Sequence, residues 1–246
     1  MFILKSYLSL AKCYDIAHRI SSIISPAIIP CFTLGLVWSL FIAPTDFQQG
    51  QAYRIIYLHV PSAILSLNLY FIMGILALGY LIWRIKIFSL LIQCLAKVGI
   101  VFSGLALVTG SIWGKPMWGT WWIWDARLTS TLILFFLYLG ILALNRSITQ
   151  SRAKDSACAV LTLIGTVNIP IIHYSVVWWN TLHQGATITQ FWAPKIDHAM
   201  LKPLIYMLLC YIMYVIVVVS NLLIKAIAER ESHTQWLKKR LLEDVF

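Results

Sequence analysis

Residues 113–130 read WGKPMWGTWWIWDARLTS. Five of the chain's 11 tryptophans fall here, Trp113, Trp118, Trp121, Trp122 and Trp124, and Asp125 directly follows the last. Indoles gathered this closely offer a wide flat aromatic surface, and Gly114 and Gly119 permit close backbone approach. Such a surface suits a large, flat, apolar ligand. Two histidines stand in similar company. His59 lies in YRIIYLHVPSA, after Tyr53 and Tyr57, and His183 lies in WWNTLHQG, after Trp178 and Trp179. Two neutral imidazoles can occupy opposite axial positions of a planar iron macrocycle. Taken singly, each histidine could equally be a hydrogen-bonded interface residue, and each tryptophan a membrane-interface anchor. A belt of anchors needs one or two indoles per helix end on both leaflets, whereas this cluster crowds one side.

A haem would also bring two propionates. Arg54 stands five residues before His59 and Arg127 two after Asp125. A guanidinium fork suits a carboxylate, so both are candidate propionate partners, with Lys115, Lys195 and Lys202 as further cations. Asp125 could pair with Arg127, cap the helix that follows, or orient an indole N–H. His173, in PIIHYS, falls within an apolar run three residues after Pro170 and is read as bridging helices rather than ligating. His18, His198 and His233 receive no role.

These groups must be held by membrane helices. Of 246 residues, 60% are hydrophobic and 11% charged, with mean hydropathy +0.82, whereas soluble domains carry about 25% charged residues. A bilayer core takes roughly 20 apolar residues as helix. Six such runs occur, near 22–43, 57–83, 90–112, 128–145, 157–177 and 204–224. The expected fold is all-α, a polytopic integral membrane protein of six transmembrane helices with a tryptophan-rich outer loop, forming a single domain over 1–246. Pro61 is expected in the first turn of the second helix, where proline is tolerated.

Fourteen of the 19 lysines and arginines fall on one side of this arrangement. Arg54, Lys115, Arg127, Lys195 and Lys202 fall on the other. The positive-inside rule then places both termini in the cytoplasm and the segments 44–56, 113–127 and 178–203 outside. The net charge of +10 is dispersed among short segments, with no basic groove for nucleic acid. The five cysteines form no CxxC, which removes CxxC thiol–disulfide exchange and thioether haem attachment through CxxCH. A GxxxxGK[ST] phosphate loop is also missing, so the chain is not an ATPase of that class.

The strings YRIIYLHVPSA, TGSIWGKPMWGTWWIWDARLTS and NIPIIHYSVVWWNTLHQG resemble the haem exporter protein C family, the cytochrome c maturation protein C branch of the haem-handling membrane proteins. WGTWWIWD matches the tryptophan-rich WWD signature of that group. The resemblance runs from about residue 48 to 187 in preserved order, and the segment 188–203 looks unlike it. It implies non-covalent haem b held between two outer histidines, which fall here on His59 and His183, beside a signature loop on the periplasmic face of the bacterial inner membrane. It further implies delivery of that haem to a periplasmic chaperone, protein E, for cytochrome c maturation. The implied company is an ABC transporter (proteins A and B) and the small membrane protein D, with the chain presenting haem rather than acting as a conventional enzyme. Export of haem across the bilayer is the alternative role. Buried pairs of histidines in facing spans, as a haem b electron-transfer subunit would need, are not apparent in the sequence.

Overall fold

The computed structural model describes residues 9–179, 181–183 and 196–243. Trp192 and Lys195 therefore lie outside the described residues. Six helical segments are long and apolar enough to cross a membrane: Leu10–Ile42, Gln51–Trp83, Lys86–Trp118, Ala126–Ser147, Ser151–Trp178 and His198–Arg230. Among the described residues the extended backbone is limited to one bridge, Asp46 to Gly50. The chain is an all-α, multi-pass membrane protein.

Helix α1 (Leu10–Val37) starts on Ser9, whose Oγ accepts from the Lys12 amide, and winds into a π-turn over Trp38–Ile42. A 3₁₀ turn (Gln51–Ile55) leads into α2 (Ile56–Trp83), and a tight reversal at Arg84 leads into α3 (Lys86–Trp118). Next come α4 (Ala126–Ser147), α5 (Ser151–Gly165), α6 (Asn168–Trp178), α7 (His198–Arg230) and α8 (Gln235–Glu243).

Helices α2 and α3 form the central pair; α1 and α7 pack together on one flank, and α4 to α6 on the other. Membrane helices approach closely where small residues line their contacts. Gly99 of α3 and Gly165 of α5 do this here: a Cβ at either would collide with a tyrosine ring, Tyr138 and Tyr70 respectively. The two rings meet edge to face at 5.0 Å, and Tyr138 Oη donates to the Ser66 carbonyl at 2.7 Å, so α2, α3, α4 and α5 are locked through one buried aromatic pair.

Several helices outrun their apolar stretches. The α1 helix begins at Leu10, before the run at 22–43, because its polar first turns find partners in the C-terminal helix: Asp15 accepts from Arg240 at 2.9 Å, and Trp236 meets Tyr14 at 6.1 Å. The α3 helix continues to Trp118, through Pro116, and stops at Gly119 with φ 75°, a left-handed position that glycine fills without strain. Within the span expected as a loop, 113–127, the non-helical part is thus 119–125. Pro61 sits in the second turn of α2 rather than its first, because the helix starts at Ile56 and is preceded by the 3₁₀ turn.

The fifth membrane segment breaks at Thr166–Val167, between α5 and α6. Pro170 lies four residues beyond Thr166; its ring crowds that residue's carbonyl and it has no N–H to offer it. Two bonds seal the break. Thr166 Oγ1 donates to the Thr162 carbonyl at 2.9 Å, and Asn168 Nδ2 reaches the Ser130 carbonyl on α4 at 2.9 Å.

Candidate functional site

The tryptophan-rich segment and both aromatic-flanked histidines meet at one end of the bundle. The start of α2, the end of α3 and the start of α4 surround a cavity of about 910 Å³, open mouth included, whose walls are mostly apolar. Ligand sites are typically concave and mostly apolar, with few polar groups.

His59 projects from the first turn of α2 against α3. Its Nδ1 lies 3.1 Å from Thr109 Oγ1, and the edge of Trp113 meets its ring at 5.7 Å. Trp113 is itself anchored, its Nε1 donating to Gln49 Oε1 at 2.9 Å. His183, five residues past the end of α6, rests on Trp118 at 6.0 Å. The His59 and His183 rings face one another across 6.4 Å at 33°.

The segment 119–125 folds back on α3 through three contacts. Ser111 Oγ donates to the Trp121 carbonyl at 2.6 Å, Lys115 Nζ donates to the Gly119 carbonyl at 2.9 Å, and the same ammonium stands 6.0 Å from the Trp121 ring. Asp125 takes the capping role among its three options: its Oδ1 accepts from the Leu128 amide at 2.7 Å, opening α4. That cap sets Arg127 in the first turn, where it lines the cavity.

The ten residues singled out from the sequence are not all brought together. His59, His183, Trp113, Trp118, Trp122 and Arg127 line the cavity. Trp121 and Trp124 stand outside the lining, 56% and 75% exposed, and Trp124 lies edge-on to Trp122 at 5.5 Å. Arg54 is turned toward the π-turn of α1, where its Nη1 donates to the Ser39 carbonyl at 2.9 Å and its Nε to Gln51 Oε1 at 2.6 Å. His173 is exposed on α6 with its ring against Tyr174. Two further residues hold the site's rings in place: Thr109, against His59, and Gln49, which lines the cavity and anchors Trp113. Thr109 was readable, since it precedes Trp113 by four residues and therefore shares its helix face; Gln49 lies in an irregular segment and carried no signal.

The two imidazoles lie 6.4 Å apart, centroid to centroid, close enough for both to reach one group placed between them. The indoles of Trp118 and Trp122 supply apolar wall for a flat ring, and the buried Trp122 Nε1 has no partner among the described residues. Groups of three or more His, Cys, Asp or Glu side chains fit to hold a bare metal ion do not occur among the described residues.

Comparison with known proteins bears on the same reading. The sequence model of the family described as heme exporter protein C matches residues 3–238. A heme exporter protein C of Escherichia coli (strain K12) is 53% identical over 178 residues, 72% of this chain and 71% of that protein. One from Haemophilus influenzae is 50% identical over 192 residues, 78% of each chain. A protein of Marchantia polymorpha named a putative cytochrome c biosynthesis ccmC-like mitochondrial protein is 49% identical over 171 residues, 70% of this chain and 72% of its own. This chain belongs to the heme exporter protein C family.

Proposed function

We propose that this protein binds haem b non-covalently between His59 and His183 at the periplasmic face of the inner membrane and passes it to the periplasmic haem chaperone, protein E, for cytochrome c maturation. The observation that carries the reading is the 6.4 Å separation of the two imidazoles across a tryptophan-walled cavity. In this role the chain works beside the ABC transporter proteins A and B and the small membrane protein D. When bound, haem would supply an iron for the His59 and His183 imidazoles to hold and vinyl groups with which the chaperone can react.

The chain's own residues do three things. His59 and His183 offer one nitrogen each, so retention is firm yet reversible, as a handoff requires. Trp118 and Trp122 exclude water from the ring faces. Arg127 stands where a propionate needs a cation, since burying an uncompensated carboxylate costs several kcal/mol; the ion pairs found among the described residues lie elsewhere. The lining comes from the first three turns of α2, the last turns of α3 and the first two turns of α4, with Gln49, Trp122, Ile172 of α6 and His183, and this gathering at one end of the bundle suits presentation at one membrane face more than passage through the bilayer.

The direct test loads purified protein with haemin and adds the soluble domain of protein E together with reductant. Haem is expected to move to the chaperone. Retention of all haem by this chain under conditions that load the chaperone from cells would overturn the role.

Orientation is checked separately. With Thr120→Cys or Gln150→Cys introduced into a cysteine-free background, an impermeant maleimide applied to intact spheroplasts is expected to label position 120 and spare 150. Labelling of 150 alone reverses the topology. Arg127→Gln is expected to weaken haem retention several-fold while the bound fraction stays six-coordinate. Arg127→Lys is expected to recover only part, because an ammonium lacks the planar fork. Unchanged retention in Arg127→Gln assigns the propionates to other groups.

A further inference from the structure

We infer that Thr109 is a positioning residue that fixes His59 as the Nδ1–H tautomer and so makes Nε2 its metal-binding nitrogen. The inference rests on the reading of His59 as a haem ligand and adds which atom binds and what selects it.

A threonine hydroxyl has one proton. Thr109 Oγ1 lies 2.6 Å from the Leu105 carbonyl of its own helix and 3.4 Å from that of Ala106. A carbonyl can only accept, so the hydroxyl proton is committed there. The remaining neighbour of Oγ1 is His59 Nδ1 at 3.1 Å. With its proton spent, Oγ1 can only accept from the ring, so Nδ1 carries the hydrogen and the lone pair resides on Nε2.

Hydroxyls of helical serine and threonine often bond back to a carbonyl four residues earlier, and that bond alone would say nothing about function. Here it is the first link of a directed chain, from imidazole to hydroxyl to helix carbonyl, on a residue only 7% exposed. The neighbouring residues hold the ring in that register. A Cβ at Gly110 would come within 3.0 Å of His59 Cε1, so glycine is what allows the imidazole to lie against α3 at bonding distance from Thr109. Trp113, one turn beyond Thr109, closes the ring's other side at 5.7 Å. Residues 109, 110 and 113 thus form a cradle for one imidazole in one orientation. Metal-bound histidines commonly donate their second N–H in this way, which fixes the tautomer and raises ligand basicity.

The test uses full-length protein in detergent with ¹⁵N-labelled histidine, first free of haem. Long-range ¹H–¹⁵N correlation spectra, with His59 assigned by its loss in His59→Gln, are expected to show Nδ1 protonated in wild type. Thr109→Val is expected to lose that pattern and Thr109→Ser to restore it. With haemin added, Thr109→Val is expected to retain haem roughly 10–100-fold less well and to show a raised reduction potential, with Thr109→Ser close to wild type. A wild-type His59 protonated on Nε2 overturns the inference without any variant having to fold. An unchanged tautomer in Thr109→Val overturns Thr109 as its cause. A tautomer that changes as expected while haem retention and potential stay fixed overturns instead the assignment of His59 as a ligand.

Discussion

Replacing His59 or His183 by alanine is expected to reduce haem retention by well over tenfold and to abolish delivery to the chaperone under limiting haem. Under the proposed function each change removes one of two iron–nitrogen bonds, and tenfold corresponds to only about 1.4 kcal/mol, far less than a coordinate bond is worth in a water-poor site. Free imidazole in the buffer is expected to restore part of the binding, because each truncation leaves space where a ring stood. The control is His173→Ala. His173 is exposed and lies against Tyr174, away from the cavity lining, so its loss is expected to leave retention unchanged. The measurement is haem content after detergent purification and gel filtration. Wild-type retention in the His59→Ala and His183→Ala double variant would remove both from the site.

The second large effect is on stability and lies at the opposite end of the bundle. Asp155 is 1% exposed. It receives Arg230 Nη2 at 2.7 Å and Gln93 Nε2 at 3.0 Å, while Arg230 Nη1 donates to Ser89 Oγ at 3.3 Å. The cluster ties α3, α5 and α7 together. Removing one partner of a buried ion pair typically costs about 3–5 kcal/mol, because a charge remains without compensation. Arg230 is itself partly exposed, which places Arg230→Ala toward the lower figure. In a chain of this size that corresponds to a melting temperature lower by roughly 6 °C or more. Replacing both by apolar residues, Asp155→Leu with Arg230→Met, is expected to recover much of the loss, since no orphan charge is left. Thermal unfolding in mild detergent decides. An Arg230→Ala protein that melts with wild type shows that the pair is solvated and contributes little.

How much of this was legible in the sequence differs by kind of feature. Six membrane helices were readable because hydrophobic length alone dictates them: backbone in lipid must satisfy its own hydrogen bonds. Helix ends were not, because they depend on tertiary partners. Nothing in the first 20 residues announces that Asp15 will meet Arg240 from a helix more than 200 residues away. Nor does hydropathy reveal that GKPMW stays helical until Gly119 supplies a left-handed stop.

The site was legible in its residue types more than in their directions. The WGTWWIWD segment promised a platform of indoles. Folding back of 119–125 gives its tryptophans different surroundings: Trp122 lines the cavity, whereas Trp121 and Trp124 do not. Arg54 and Arg127 looked equivalent as cations near the histidines. They diverge because Arg54 lies in the 3₁₀ turn Gln51–Ile55 and reaches the Ser39 carbonyl of the α1 π-turn, while the Asp125 cap sets Arg127 on the cavity wall. The spacing of Thr109 to Trp113 marks their shared helix face, but the hydroxyl's partner, His59, comes from another helix and leaves no local signal.

The proposed function requires His59 and His183 to hold one iron between them. The most direct measurement is the low-temperature electron paramagnetic resonance spectrum of the purified full-length protein with one equivalent of haemin. A low-spin ferric signal of the bis-imidazole type is expected in wild type and in His173→Ala, replaced by a high-spin signal in His59→Ala and in His183→Ala. A wild-type spectrum that is high-spin, or a low-spin signal that survives loss of both His59 and His183, would contradict it.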